Sequence, residues 1–478
     1  MTHPLHSGIG GPSVVVLGGG LAGAAAAYTL ALAGCRDITV IERGPRLGGL
    51  AGNFEIDGRT YPLGYHHILH RDRTLLSFLD RIGALSEVRW RRIRMGFVLN
   101  RTVYELGRPA GFLRFPMRIG DKLRFLRLML RAFATTEWND WCGRSAAELV
   151  DSWSGLGVRR ALFDPLMYLK FDMPCADISA AWLGARLSFR EGSAPLGYIP
   201  NTNWTTRLCD GLARLLEDLG VKIRLRTGAL RIDTSGDRVT GVQLDTGERL
   251  APEVLVSALP TEVYARMIAG DGGDDIAPIR YSALISVVAA IPEPLDHGFY
   301  WLNFLWPRYT AGGLFVLSAL NPTIGHPGET CVNFVTHLKS RHDPLFTVSD
   351  SELLSRYRED FQDLFGSVPK FVWSSINRIP LYSPVYVAGY RNPPIQSRRW
   401  RNLYFAGNYR TFPSVSSTGT AMWSGLEAGA AVLRSHGRDT KLLDEVAAFR
   451  LRSMPKSAPA PGRARSTVTS RRDFDPVQ

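Results

Sequence analysis

A glycine-punctuated step from strand to helix most narrows what this chain can fold into. Residues 14–34 read VVVLGGGLAGAAAAYTLALAG, with Gly18, Gly20 and Gly23 at G-x-G-x-x-G spacing. Ser13–Leu17 is a β-branched run of buried-strand type, and Leu21–Leu32 is an alanine-rich helix. The first glycine permits a tight turn, the second lets backbone approach a pyrophosphate, and the third lets helix and strand pack closely. The helix start at Leu21 and Ala22 offers amide donors and a partial positive charge to the same anion. A second strand, Asp37–Ile41, leads into Glu42, nineteen residues beyond Gly23, where a carboxylate can accept hydrogen bonds from both hydroxyls of an adenosine ribose. Strand, glycines, helix, strand and acid in that order predict a dinucleotide-binding unit. The same stretch is uncharged and of membrane-spanning length. Three consecutive glycines weaken a membrane helix, however, and neither a positively charged segment before it nor a cleavage site after it suggests a signal peptide.

The rest of the chain is of ordinary globular composition. With 478 residues, 45% hydrophobic and 21% charged, it predicts two to three domains and excludes a disordered or fibrous protein. Its five cysteines are scattered and form no C-x-x-C pair, which argues against a disulfide framework or structural zinc and makes a reducing cytoplasm the default. The net charge of +13 is concentrated: residues 71–134 hold fifteen Lys/Arg against five Asp/Glu, and residues 450–478 hold seven against two. Such clusters suggest an anionic partner.

Glu42 opens a second motif, ERGPRLGG, running to Gly49. From Val14 through Gly49 the sequence resembles the FAD-dependent amine oxidase, protoporphyrinogen oxidase and phytoene desaturase superfamily. The resemblance implies that Gly48 and Gly49 lie along the dinucleotide, that Arg46 approaches its phosphates, and that Arg43 belongs to the same loop. Leu403–Asn408, LYFAGN, resembles the family's terminal motif, with Asn408 where aspartate is usual, and Ser416–Gly429 resembles the helix that follows. Gly407 and Asn408 would then contact the cofactor. Gly419, Thr420, Ala421 and Met422 would start a helix whose amides face the flavin pyrimidine. Segments 221–226, 230–233, 239–244 and 246–260 read as short strands with turns at Ser235-Gly236-Asp237 and Thr246-Gly247. The resemblance places Leu230 and Ala258 near the adenine through main chain, the alternative being plain sheet core. The fold class implied is α/β, a discontinuous Rossmann-like FAD-binding domain (residues 1–75, 205–265 and 395–436) with an α+β substrate domain (76–204 and 266–394). The basic, proline-rich tail 450–478 is expected to be disordered.

Tyr61–His70, YPLGYHHILH, follows the second motif. By resemblance it passes near the isoalloxazine, with Gly64 and Tyr65 in close backbone approach. His66 and His67 are either structural hydrogen-bonders or proton carriers near neutral pH. No third ligand accompanies them, so no metal is expected. Asp164–Trp182 resembles a segment of bacterial relatives of the protoporphyrinogen and hydroxysqualene enzymes, and its Lys170 is either a surface lysine or one held near the flavin. Gly120–Ala134 is an amphipathic helix with Leu123, Leu126, Leu130 and Phe133 on one side and Arg124, Arg127 and Arg131 on another. That apolar side either packs on the core or, with residues 108–119, rests on an anionic membrane. Nucleic acid is not expected, because the aromatics there are not arranged with polar base readers. Tyr198, Trp204, Tyr300, Trp301, Phe304 and Trp306 are candidates to line an apolar pocket for a small-molecule substrate.

The leading expectation is an FAD-dependent oxidoreductase that takes a hydride from an amine or carbon centre, with oxygen or a quinone as final acceptor. It is cytoplasmic, with a peripheral membrane contact as the variant, and its oligomeric state is open. The alternatives are a non-redox isomerase or mutase acting on an isoprenoid or nucleotide sugar, and a binding protein like the GDP-dissociation inhibitors. The intact phosphate-binding glycines and Arg46 argue against the last.

Overall fold

The computed structural model describes residues 11–188, 195–268, 276, 279–292, 295, 298–305, 309–368, 370–451 and 457–458. Val14–Leu17 is a strand with all four residues buried. It is the middle of a five-stranded parallel sheet in the order Lys222–Arg224, Ile38–Ile41, Val14–Leu17, Val254–Ser257, Leu403–Phe405. Apart from the edge strand Lys222–Arg224, these strands are near-continuous apolar runs because the sheet is covered on both faces, as parallel sheets generally are. Helices from distant parts of the chain supply the covering.

The principal helices, in chain order, are α1 (Leu21–Leu32), α2 (Arg73–Arg81), α3 (Pro109–Arg114), α4 (Ile119–Ala134), α5 (Ala146–Ser154), α6 (Asp164–Phe171), α7 (Ala180–Ser188), α8 (Trp204–Asp218), α9 (Asp350–Phe365) and α10 (Thr418–Ser435). Eleven of the twelve residues of α1 are buried, so the helix lies in the interior rather than along one side of it. It packs against α10, where small residues set the approach. A methyl on Gly425 would fall 2.0 Å from the Ala22 carbonyl oxygen, and one on Gly429 would fall 3.0 Å from that of Ala26. The SGLEAG segment is therefore the face that docks the two ends of the chain together.

A second body is built on a seven-stranded sheet in the order Trp373–Pro384, Tyr281–Ile291, Thr330–Leu338, Gly313–Val316, Trp301–Phe304, Met95–Leu99, Thr102–Tyr104. It is antiparallel except where Trp301–Phe304 runs beside Met95–Leu99. All eleven residues of Tyr281–Ile291 are buried, and α9 covers one face with Leu353, Tyr357 and Phe361. Helices α4 to α7 form a helical core around Leu128, Leu149, Phe171 and Leu183. Both predicted turns are present. Gly236, at φ +57°, turns the hairpin of Ala229–Ser235 and Arg238–Leu244, and Gly247 has φ +87°. The expectation of a disordered tail falls on residues 452–456 and 459–478, outside the described residues. Between them Ser457–Ala458 pairs as a short parallel strand with Trp90 and Arg91. Among the described residues no helix is long and apolar enough to cross a membrane.

Candidate cofactor and active site

The glycines of the first turn divide by what surrounds them. Gly18 sits at φ +96°, which strains any residue with a Cβ, and a methyl on Gly23 would lie 1.9 Å from the Gly18 carbonyl oxygen. These two shape the turn and the helix–strand contact. Gly20 differs, since a methyl there would meet only Gly49 at 3.8 Å, leaving its face open. It is the N-cap of α1 and supplies no side-chain cap, so the helix starts at Leu21 and Ala22 without a side-chain acceptor or an acid in its first turn. Gly48 (φ +130°) donates to Gly19 carbonyl oxygen at 2.8 Å, while a methyl on Gly49 (φ +56°) would press to 3.1 Å from Gly20 Cα. The two glycine loops thus lie backbone against backbone. Gly19, not singled out from sequence, belongs here too, as a methyl on it would strike Leu47 Cδ2 and Glu42 Cβ. The run of three consecutive glycines was its only signal.

Glu42 lies beside this turn and accepts from Gly19 N at 2.8 Å through one carboxylate oxygen and from Gly44 N at 2.6 Å through the other. Each oxygen keeps further acceptor capacity. Arg43 is exposed. Arg46 is also exposed and reaches Asn53 Oδ1 at 3.2 Å and Glu55 at 3.8 Å, so it leans toward the Asn53–Ile56 hairpin rather than over the glycines. Ala258 carries its backbone to the turn: its N–H bonds Leu17 and its carbonyl oxygen lies 3.2 Å from where a Gly18 methyl would sit. Leu230 is 59% exposed and falls at the bulge between the pairs Ala229–Leu244 and Arg231–Gln243. Its side chain is therefore not sheet core, and only its main chain is left as a contact.

From the other end of the chain, Leu403–Phe405 delivers Gly407 at φ +149°, its N–H held by Ser424 Oγ of α10 at 2.9 Å. The Asn408 carbonyl oxygen accepts from Tyr386 and Thr411, and its side-chain amide reaches the Tyr382 carbonyl oxygen at 3.4 Å. The start of α10 departs from the expected open cradle. Ser417 and Thr420 form a reciprocal capping box, and the Gly419 N–H bonds the carboxylate of Asp72. A methyl on Gly419 would fall 1.8 Å from an Asp72 oxygen. The donors of Gly419 and Thr420 are thus taken within the protein, because a helix start must satisfy its orphan amides. The Ala421 amide is bonded to the Ser417 carbonyl oxygen at 3.0 Å, and the Met422 side chain is fully buried. Asp72, which sequence did not single out, also caps α2 through Leu75 N at 3.0 Å, and burial raises its carboxyl to about 6.

Between these two ends lies a cluster of titratable and aromatic groups. Gly64 has open space, a methyl there meeting only Leu284 at 3.6 Å, and the next residue, Tyr65, stacks on Phe315 at 4.2 Å. Lys170 of α6 donates to the Tyr65 hydroxyl at 3.3 Å and lies over the rings of Tyr65 and Tyr382 at 5.9 and 5.6 Å. The same hydroxyl is 3.4 Å from His337 Nε2. His337 is buried with Nδ1 unpartnered, and burial together with the Lys170 charge holds its pKa well below the ordinary value. Burial and then the Tyr65 hydroxyl push the Tyr382 phenol well above its ordinary value. Lys170 is thus half-buried and engaged rather than on the surface. His337 and Tyr382 carried no sequence signal, since each is one of several polar residues in its strand, Thr330–Leu338 or Trp373–Pro384, and no short-range pattern sets it apart.

The two adjacent histidines separate. His66 Nε2 is committed to the Leu50 carbonyl oxygen at 2.9 Å, and burial lowers its pKa, so it is a neutral anchor for the loop. His67 turns toward the aromatic side and bonds Tyr300 OH at 2.9 Å. A small cleft of about 30 Å³ lies next to Tyr65, with Tyr198, Trp204, Tyr300, Leu317 and Ile324 on its walls. Trp301 packs on Phe315 beside it, whereas Phe304 is buried in the core under α9 and Trp306 lies outside the described residues. No group of His, Cys, Asp or Glu among the described residues has the arrangement of a metal site.

The open face of Gly20 and the uncapped start of α1, with the two glycine loops beside them, form a backbone surface that fits a dinucleotide pyrophosphate. Comparison with known proteins agrees. The sequence profile of a family described as flavin containing amine oxidoreductase matches residues 21–433. The chain is 29% identical over 313 residues to a D-amino acid dehydrogenase of Methylobacterium radiotolerans, covering 59% of this chain and 69% of the relative. It is 21% identical over 478 residues to a 15-cis-phytoene desaturase of an Oncidium hybrid cultivar, covering 89% and 78%. Its fold is similar to that of reduced UDP-galactopyranose mutase, with a TM-score of 0.71 at 18% identity over 92% of this chain and 100% of that one. The chain belongs to the flavin-containing amine oxidoreductase family and is an FAD-dependent oxidoreductase.

Proposed function

We propose that the chain dehydrogenates a small, largely apolar molecule at an amine or carbon centre, in the neighbourhood of Tyr65. The observation that carries this reading is the Lys170–Tyr65–His337 chain, bracketed by Gly64 on one side and Asn408 on the other. Gly18, Gly20, Leu21, Ala22, Gly23, Gly48 and Gly49 would hold the FAD pyrophosphate, Glu42 the ribose, and Ala258 and Leu230 the adenine edge through main chain. When bound, FAD supplies the acceptor for a hydride. The chain's own contribution is positioning and proton control. Lys170 donates to Tyr65, and Tyr65 in turn faces a histidine kept neutral, so a proton released from substrate has a short path away from the reacting centre. Tyr198, Trp204 and Tyr300, which line the cleft beside Tyr65, give this region an aromatic surface that favours an apolar substrate face.

The similarity to the mutase supports a second reading, flavin chemistry without net oxidation on an isoprenoid or nucleotide sugar. Anaerobic photoreduction followed by admission of air separates the two. Rapid reoxidation fits an oxidase and directs substrate screening to amines. Slow reoxidation, with no reduction of the oxidised flavin by any amine or by any desaturase-type substrate in the absence of an acceptor, would refute the leading reading. Within that reading, Lys170→Met should slow substrate-dependent flavin reduction by about a hundredfold at unchanged flavin content.

A further inference from the structure

The structure settles which way the amphipathic helix α4 faces, and it is the less usual way. Leu128 and Ala132 are fully buried, and the residues of the apolar stripe are not: Ile119, Leu123, Leu126 and Leu130 are 77%, 64%, 46% and 69% exposed, with Leu113 of α3 at 67%. At about 100° per residue the stripe and the buried positions lie on opposite sides of the helix. Packing uses the small side, Leu128 and Ala132 against α5 and α7, and leaves five large aliphatic side chains in solvent within eighteen residues. Among the described residues the other exposed large aliphatics, Leu32, Leu156, Leu225, Leu230, Val368 and Val372, come at most two together along the sequence, so this patch stands out.

Its charge identifies the partner. Residues 108–134 contain seven Lys/Arg and a single acid, Asp121, which is buried and paired with Arg124 at 2.9 Å. Arg127 and Arg131 lie along one border of the stripe, Arg127 bonded to the Trp153 carbonyl oxygen and Arg131 over the Trp153 ring, where both remain exposed. A second copy of this chain would bring two strongly positive faces together, which is repulsive. Large aliphatics on one face with arginines at the border, on a helix of modest overall hydrophobicity, suit the headgroup boundary of an anionic bilayer.

We propose that α3 and α4 form an interfacial membrane-binding surface, with Leu113, Ile119, Leu123, Leu126 and Leu130 entering the acyl boundary of an anionic leaflet and the arginines meeting its headgroups. This is independent of which substrate the cleft takes. It also places the helical core that carries Lys170 against a lipid surface, from which an apolar substrate or a quinone can be drawn.

The test is sedimentation of the full-length, FAD-loaded protein with neutral and with phosphatidylglycerol-containing vesicles. Binding is expected with anionic vesicles at low salt, with release as salt screens the headgroups. Leu123→Ser, Leu126→Ser and Leu130→Ser together should weaken it on the order of a hundredfold, with flavin absorbance and melting temperature unchanged. Equal binding by that triply substituted protein would overturn the proposal and assign the charge attraction to the basic tail. A parent protein that ignores anionic vesicles but is dimeric until the serines are introduced would overturn it in favour of a second copy. Should the triple substitution perturb folding, Leu130→Trp offers a direct reading: blue-shifted emission quenched by brominated lipid is expected, and unshifted emission would refute insertion.

Discussion

Substituting Gly425→Ala tests the account of how the two ends of the chain are joined. In most helices this change is favourable, since alanine outranks glycine by about 1 kcal/mol. Here the added methyl would lie 2.0 Å from the Ala22 carbonyl oxygen, 2.9 Å from its carbonyl carbon and 3.0 Å from Ala25 Cβ. Two of these three are backbone, so no rotamer change relieves them. Ordinary contact begins near 3.4 Å, so α10 must withdraw from α1 by about 1.4 Å. Overpacking of this kind costs about 1–3 kcal/mol and here exceeds the gain in helix propensity. Ala22 is in the first turn of α1, so the withdrawal also moves the uncapped helix start that is proposed to hold the pyrophosphate. The expected result is a protein about 1–2 kcal/mol less stable in urea, with reduced flavin occupancy from the ratio of visible to ultraviolet absorbance. A Gly425→Ala protein as stable as the parent, with full flavin, would refute the claim that glycine is required for this helix contact.

Other outcomes follow from single groups. Glu42→Ala removes the acceptor of Gly19 N and Gly44 N, and it should lower flavin retention through ultrafiltration while the protein stays folded; unchanged occupancy would remove Glu42 from the site. Asp72 titrates near 6 in the folded protein, above the ordinary carboxylate value, so the folded state holds this proton longer than the unfolded chain does. Its contribution to stability should therefore fall as pH rises from about 4 to 6 and stay level above that. Asp72→Asn should flatten that part of the stability profile, and an identical profile would show that the carboxyl is not so buried. Cys35, Cys175, Cys209 and Cys331 are buried, and burial raises every one of these thiols, Cys209 and Cys331 to about 12. A thiol reagent should reach the less buried Cys142 first, and the other four only in denaturant.

What the sequence determined by itself is local. The strand, turn and helix at Val14–Leu32 were legible because glycine spacing, β-branched residues and an alanine run act within a few residues of one another. The same holds for the hairpin at Gly236 and for the Leu403–Gly407 strand and turn, whose signals lie in consecutive positions. Tertiary structure decided everything that depends on which distant segment lies opposite. Period 3.6 revealed a leucine stripe on α4 but not that the neighbouring helices would take the other side. Adjacent histidines read alike in sequence, and only their partners, Leu50 for His66 and Tyr300 for His67, separate them. The glycines and threonine at the start of α10 signalled a helix N-terminus, yet a carboxylate from residue 72 claims the Gly419 amide. Lys170, Tyr65 and His337 meet from segments far apart in the chain, a coincidence fixed by sheet register and helix packing. No short-range pattern encodes it, because each of those residues owes its place to contacts made by others.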